Sequence, residues 1–235
     1  MTVVIASLFP ELTNSQGDAE NARALAKVLE FQGTDARVVT VELGDPSTVA
    51  ANASVIVLGH VVSSQEAIVL SALGEIHDWL IERLGAGAVL LAVGAAQKLL
   101  CEVGLLTGSV ERRPAHFVDD LVVERDGFSR ALWGFQNSEI VYRRAADDDV
   151  LGSVVAGSGN DDGTEGVIRG LGAGLVVGTN LHGPVCVRNP EFAQWLLAQA
   201  NVRLPLDSAT HEWRRAVALA DALWEQRRVE LELEV

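Results

Sequence analysis

The chain has 235 residues, 49% of them hydrophobic and 21% charged, with a formal net charge of −14. That length and balance describe an ordinary globular protein with a sizeable core, in one large domain or two small ones. The acidic balance argues against nucleic acid as a partner, because phosphate binding needs a clustered basic surface, and equally against an anionic membrane surface. Two cysteines, Cys101 and Cys186, make no disulfide framework. The N-terminus has no basic region or cleavage pattern, and the longest apolar run, residues 86–96, is too short and glycine-rich to span a bilayer. A cytoplasmic protein without membrane insertion is expected.

A β-branched run over 3–8 predicts a buried strand. Asp18 can cap a helix over 19–32, whose apolar residues Ala22, Leu25, Ala26 and Leu29 recur at helical spacing and which Gly33 ends. Strands follow at 35–41 and 54–58. Ser63 or Ser64 can cap one helix through Leu84, with Gly85 as its stop. The run 87–93 is a strand apolar enough to be covered on both faces, and a short helix follows from Ala95. Alternating strands and helices of this kind imply βαβ units and a mostly parallel, flavodoxin-like sheet.

The middle of the chain changes character. Segments 121–124, 129–135 and 150–155, separated by Asp/Gly turns, predict antiparallel strands added to that sheet. Residues 175–177 return to a buried strand. One helix starts at Pro190, a proline in a first helical position, and another at about Ser208. Residues 1–205 read as one domain, and 206–235 as a helix with an acidic tail that packs on the domain or on a partner. The terminal VELELEV alternates and suits either a late strand or a frayed tail.

Four segments carry a resemblance. LFPELTNSQGDAENARAL (residues 8–25) supplies Leu8, Pro10, Leu12, Asn14, Gly17, Asp18 and Asn21. The second segment is Gly134-Phe135-Gln136-Asn137. The third is GSGNDDGTEGVI (157–168). The fourth, VVGTNLHGPVCVRNPEFAQWLL (176–197), contains Gly-Thr-x-Leu-His-Gly-Pro with Asn-Pro-Glu downstream. Together they resemble the GatD family, the glutaminase subunit that pairs with the Mur-ligase-like MurT in lipid II isoglutaminyl synthase, within the CobB/CobQ-like class I glutamine amidotransferases. The match spans nearly the whole chain, and its fourth segment is the most specific. It implies the class I amidotransferase fold; no metal and no cofactor are expected.

The chemistry of that family needs a cysteine thiolate to attack the glutamine amide and release ammonia, and water then frees glutamate from the thioester. The thiolate sits on a tight strand-to-helix turn, where backbone N–H groups face the oxyanion. The family's elbow reads Leu-Ala-Ile-Cys-Gly-Gly-Tyr-Gln-Leu-Leu. Here the stretch is Leu91-Ala92-Val93-Gly94-Ala95-Ala96-Gln97-Lys98-Leu99-Leu100, so Gly94 occupies the nucleophile position. Ala95 and Ala96 replace two glycines, and a left-handed conformation there would cost ~1–2 kcal/mol per residue, which predicts a relaxed turn. The family's glycine-rich loop Gly-Gly-Gly-Gln-Asp becomes Gly59-His60-Val61-Val62-Ser63, and its downstream His and Gly-Arg become Ser138-Glu139-Ile140-Val141. Cys101 and Cys186 read as packing residues.

By this resemblance His182 is the retained family base. It is read either as a structural residue or as a base recruited for new chemistry. Glu191 is a candidate partner for it and equally a first-turn carboxylate at its helix N-terminus. Gly59, His60, Gln136 and Asn137 are the remnant of a substrate pocket. His60, His77, His116, His182 and His211 have no zinc-type spacing, and the Gly-x-Gly at 157–159 has no phosphate-loop lysine. The expectation is a pseudo-glutaminase: an accessory partner of a MurT-like, ATP-dependent Mur-ligase-type enzyme in a heterodimer. The alternative is an active glutamine-hydrolysing subunit supplying ammonia for amidation of a peptidoglycan-type glutamate.

Overall fold

The computed structural model describes residues 2–45, 47–204 and 210–233. Strands β1 (Val3–Leu8), β2 (Ala36–Val41), β3 (Val55–Leu58) and β4 (Val89–Val93) alternate with α1 (Asn21–Phe31), α2 (Glu66–Glu75), α3 (His77–Gly85) and α4 (Ala96–Glu102). A β-rich section follows: β5 (Gly108–Glu124), β6 (Leu132–Arg144), β7 (Gly152–Ala156), β8 (Thr164–Glu165), β9 (Val167–Leu171) and β10 (Gly174–Thr179). Helices α5 (Val185–Arg188), α6 (Pro190–Gln199) and α7 (His211–Glu230) complete the chain.

The main sheet has the order β2-β1-β3-β4-β10-β9. Its first five strands pair in parallel, and β9 runs antiparallel to β10. Successive residues of a strand point to opposite faces, so the continuously apolar strands feed two cores. Val4, Ala6, Leu8, Ile56, Leu58, Leu90 and Ala92 join the core with α2, α3 and α4. Ile5, Val55, Val57, Val89, Leu91 and Val93 join the one with α1 and α6. The flavodoxin-like, mostly parallel sheet flanked by helices expected from the sequence is what the chain forms.

The middle strands differ from expectation. β5 to β8 do not extend the main sheet but form an antiparallel sheet of their own, in the order β6-β5-β7-β8, and only β9 joins the first. The physical reason is that both faces of the β5–β6 hairpin are covered at the end next to its turn. Leu121, Val123 and Leu132 enter the α1/α6 core, while Val122 and Trp133 pack under Trp224 of α7. The helix expected over 64–84 is also broken, with Ile76 (φ −102°, ψ 8°) between α2 and α3. The break comes two residues after Gly74 and keeps Val69, Leu73, Leu80 and Leu84 on one core.

Helix α7 begins after Thr210, whose hydroxyl accepts the Trp213 N–H. The expected start at Ser208 and the boundary at 205/206 lie outside the described residues, as do the last two residues of VELELEV. Val229 and Glu230 close α7, and residues 231–233 leave it in a turn. No helix among the described residues is long and apolar enough to cross a membrane.

Candidate functional site

Parallel strands end together, and in an open α/β sheet the crevice at their carboxyl ends is where ligands bind. Here β3 runs into Gly59-His60, β4 into Gly94, and β10 into the loop that carries His182. The loop after β1 brings Asp18 to the same place. Gly94 makes the strand-to-helix turn with φ +59°, its N–H donating to Thr179 O at 2.8 Å. The left-handed strain therefore falls on glycine itself. Ala95 is right-handed (φ −63°, ψ −15°), so the relaxed turn expected from the two alanines does not occur.

His182 is fully buried and fixed from several sides. Its N–H donates to Phe135 O at 2.8 Å, and its ring lies 5.5 Å from the Phe135 ring. Gly134 allows this approach, since a Cβ there would lie 2.8 Å from His182 O. His182 Nδ1–H donates to Asp18 Oδ2 at 2.7 Å, and both side chains are 0% exposed. Asp18 Oδ1 also accepts Gly183 N–H at 3.2 Å. The pair leaves His182 Nε2 buried and without a hydrogen-bond partner among the described residues. A carboxylate on Nδ1 fixes the tautomer and aims Nε2 as a base. It faces Gly94: a Cβ built there would lie 3.0 Å from Nε2 and 2.6 Å from Cε1.

The sequence offers Glu191 for this partnership, or as a first-turn carboxylate of α6, and it does lie in that first turn. The carboxylate of Glu191 instead takes the Ser129 N–H at 2.9 Å and hydroxyl at 2.7 Å, holding the β5–β6 turn. Asp18 is not the helix cap its position suggests: it sits in a buried 3-10 turn (Asp18–Glu20) before α1 and caps nothing with its side chain. The available signal was its place in the first resemblance segment, beside residues that prove to be wiring. Asn14 Oδ1 accepts Ala19 N–H, Asn21 Nδ2 donates to Asp18 O, and Asn21 Oδ1 accepts Cys186 N–H, tying the β1 loop to α5.

His60 closes the other side. Its ring is edge-on to His182 with centroids 5.1 Å apart, and its Nδ1 accepts the Ala95 N–H at 3.2 Å. Burial, then the neighbouring His182, pushes its pKa down to about 4, which suits an acceptor nitrogen. Gly59 beside it has no room for a side chain, because a Cβ would run into the Thr13 carbonyl. Beyond His60 lies a cavity of about 180 Å³, lined among others by Glu66, Ala95, His116, Asn137 and Ser138. Asn137 faces it and bonds His116. Gln136 does not: it is 0% exposed and clamps Gly159, accepting its N–H at 3.0 Å and donating to its carbonyl at 3.1 Å. Beneath the turn, Glu165 accepts from Thr179 Oγ1 and from both the N–H and Nδ2 of Asn180. Burial raises its pKa.

The two thiols stand apart from these groups. Cys186 is buried among α1 and α6 residues, and burial pushes its thiol up. Cys101 lies in α4 with its pKa raised to about 11 by burial, the opposite of an activated thiolate. Among the described residues, no group of three or more His, Cys, Asp or Glu side chains is placed to hold a metal ion.

Comparison with known proteins gives a consistent picture. No family model matches the chain. It is 25% identical over 209 residues to the lipid II isoglutaminyl synthase (glutamine-hydrolyzing) subunit GatD of Streptococcus pneumoniae (strain ATCC BAA-255 / R6), covering 83% of this chain and 79% of that one. The subunit of the same description from Staphylococcus aureus (strain N315) is 34% identical over 98 residues, 42% of this chain and 38% of that one. A crystal structure of a glutamine amidotransferase superposes with a TM-score of 0.57 at 19% identity, over 84% of this chain and 99% of that one. In sequence, then, the chain is GatD-like, and its fold is the one that glutamine amidotransferases share.

Proposed function

We propose that this chain is a glutamine amidotransferase-type subunit of a lipid II isoglutaminyl synthase-like complex. It serves as the accessory partner of a MurT-like, ATP-dependent Mur-ligase-type enzyme in the cytoplasm, and it does not itself hydrolyse glutamine. The observation that carries this reading is Gly94. It stands on the positive-φ turn at the end of β4, facing the free nitrogen of an oriented histidine, and it has no side chain to form a thioester. The subunit role rests on the likeness to GatD chains, which are named as subunits of a synthase. In this reading His182 and Asp18 hold the loop after β10 to the loop after β1. The ligase takes its amine from free ammonia or another amino compound.

The test is glutamate release from glutamine by the chain alone and co-expressed with its ligase. No release in either setting, with a Mur-ligase-type protein co-purifying from native cells, is the expected result. Absence of any such partner sinks the accessory role. One observation favours the second reading, an active ammonia-supplying subunit: the Asp18–His182 pair is formed, and Nε2 has no hydrogen-bond partner among the described residues. Release that disappears in His182→Ala establishes that reading instead.

A further inference from the structure

The missing side chain at position 94 is only half of what closes this site. A reactive acyl-transfer centre at such a turn needs room for the nucleophile's Cβ, and a free backbone N–H on the next residue to meet the oxyanion. The structure provides neither. A Cβ on Gly94 would lie 2.5 Å from His60 Nδ1 and 2.6 Å from His182 Cε1, closer than real contacts come, and of the two rings His60 is the one not anchored by a buried carboxylate. The N–H of Ala95, the residue after the turn, already donates to that same Nδ1. His60 also stands between the buried pair and the open cavity. It lines the 180 Å³ space together with Ala95, whereas His182 and Gly94 do not.

We propose that His60 is an internal plug, which fills the space of a nucleophile at position 94, occupies the N–H of Ala95, and seals the Asp18–His182 pair from the neighbouring cavity. This deepens the assignment of Gly94 to the nucleophile position and rests on it. The hydrogen bond from Ala95 fixes the His60 ring, and Gly59 before it lets the backbone pass close to Thr13, so the plug is held at both ends. Moving His60 would uncover His182 Nε2 and free one backbone donor at once, two of the parts an acyl-transfer site requires. The third, a thiol, has to be supplied at 94.

Diethyl pyrocarbonate acylates accessible neutral imidazole nitrogens, and mass spectrometry locates the adducts. In the natural chain at neutral pH the exposed His116 should react while His182 stays unmodified. In His60→Gly, or His60→Ala if the glycine variant fails to fold, His182 should react faster by about tenfold or more, as a buried group does once its cover is removed. His60→Phe keeps the bulk and should leave His182 protected. The second arm alkylates the thiol introduced by Gly94→Cys with iodoacetamide. It should react slowly in the single variant and at least about tenfold faster in Gly94→Cys/His60→Gly, because thiol reactivity follows access. If His182 reacts as fast as His116 in the natural chain, or if the introduced thiol is equally reactive with and without His60, the plug does not exist. Neither result touches the assignment of the natural chain as inactive, which glutamate release by that chain alone decides.

Discussion

Asp18 and His182 are 164 positions apart in the chain, yet their side chains meet at 2.7 Å with no solvent on either. Removing one partner leaves the other buried with an unmet polar atom. Asp18→Ala should therefore destabilise the fold by about 1–3 kcal/mol, read as a shift in the urea midpoint. His60 gives a pH dependence whose sign is fixed by its lowered pKa. Below 6.5 the unfolded chain binds a proton at this imidazole, while the folded chain resists until about 4. Stability from this group is thus full above 6.5 and is lost as pH falls through that window, by up to ~3 kcal/mol. Urea midpoints across pH 4–7 should show the loss in the natural chain, and a smaller one in His60→Ala. Of the site's geometry, the sequence makes legible the strand-to-helix turn at Gly94 and the loop that carries His182. Asp18 was misread because an aspartate before a helix has an obvious local use, and nothing in the linear order shows a carboxylate turning away from its own helix.

At the scale of elements, strands whose sides are buried alike are readable one at a time, but which sheet they join is not. β1, β3 and β4 declare themselves as continuous apolar runs covered on both faces. The β5–β6 hairpin alternates, and alternation does not say what lies against each face. Its partners are α6 on one side and α7 on the other, both later in the chain. The clamp that Gln136 makes on Gly159 joins this hairpin to the loop before β8. Gln136→Ala would leave the buried N–H of Gly159 without its partner, while the carbonyl keeps its bond from Arg113. A cost of about 2 kcal/mol is expected, with faster hydrogen exchange at the Gly159 amide.

The whole molecule is two sheets bracketed by helices, with α7 as a cover over the second sheet. Trp224 packs on Trp133, with ring centroids 6.4 Å apart, and Arg130 donates to the carbonyls of Ala220 and Arg188. A chain ended after residue 204 would bare Val122, Ala131 and Trp133, an apolar surface that should bind a hydrophobic dye and favour aggregation. A truncated chain that stays monomeric and dye-silent would show that the second sheet stands without its cover. The two cores of the main sheet are foreseeable from periodicity; for the last helix the sequence leaves open whether it packs on the domain or on a partner, and its three buried residues, Trp213, Ala220 and Trp224, put it on the domain.

The turn at Gly94 also limits the chain's genetic neighbourhood. Any other residue there meets a left-handed backbone, at ~1–2 kcal/mol, and two imidazoles at once. In a library varied at one position and ranked by stability, glycine should rank first at 94. In a library varied at 60 and 94 together, larger residues at 94 should appear with small residues at 60. The route from this sequence to a thiol at the elbow then runs through position 60 first, and a search by single steps starting at 94 meets a valley.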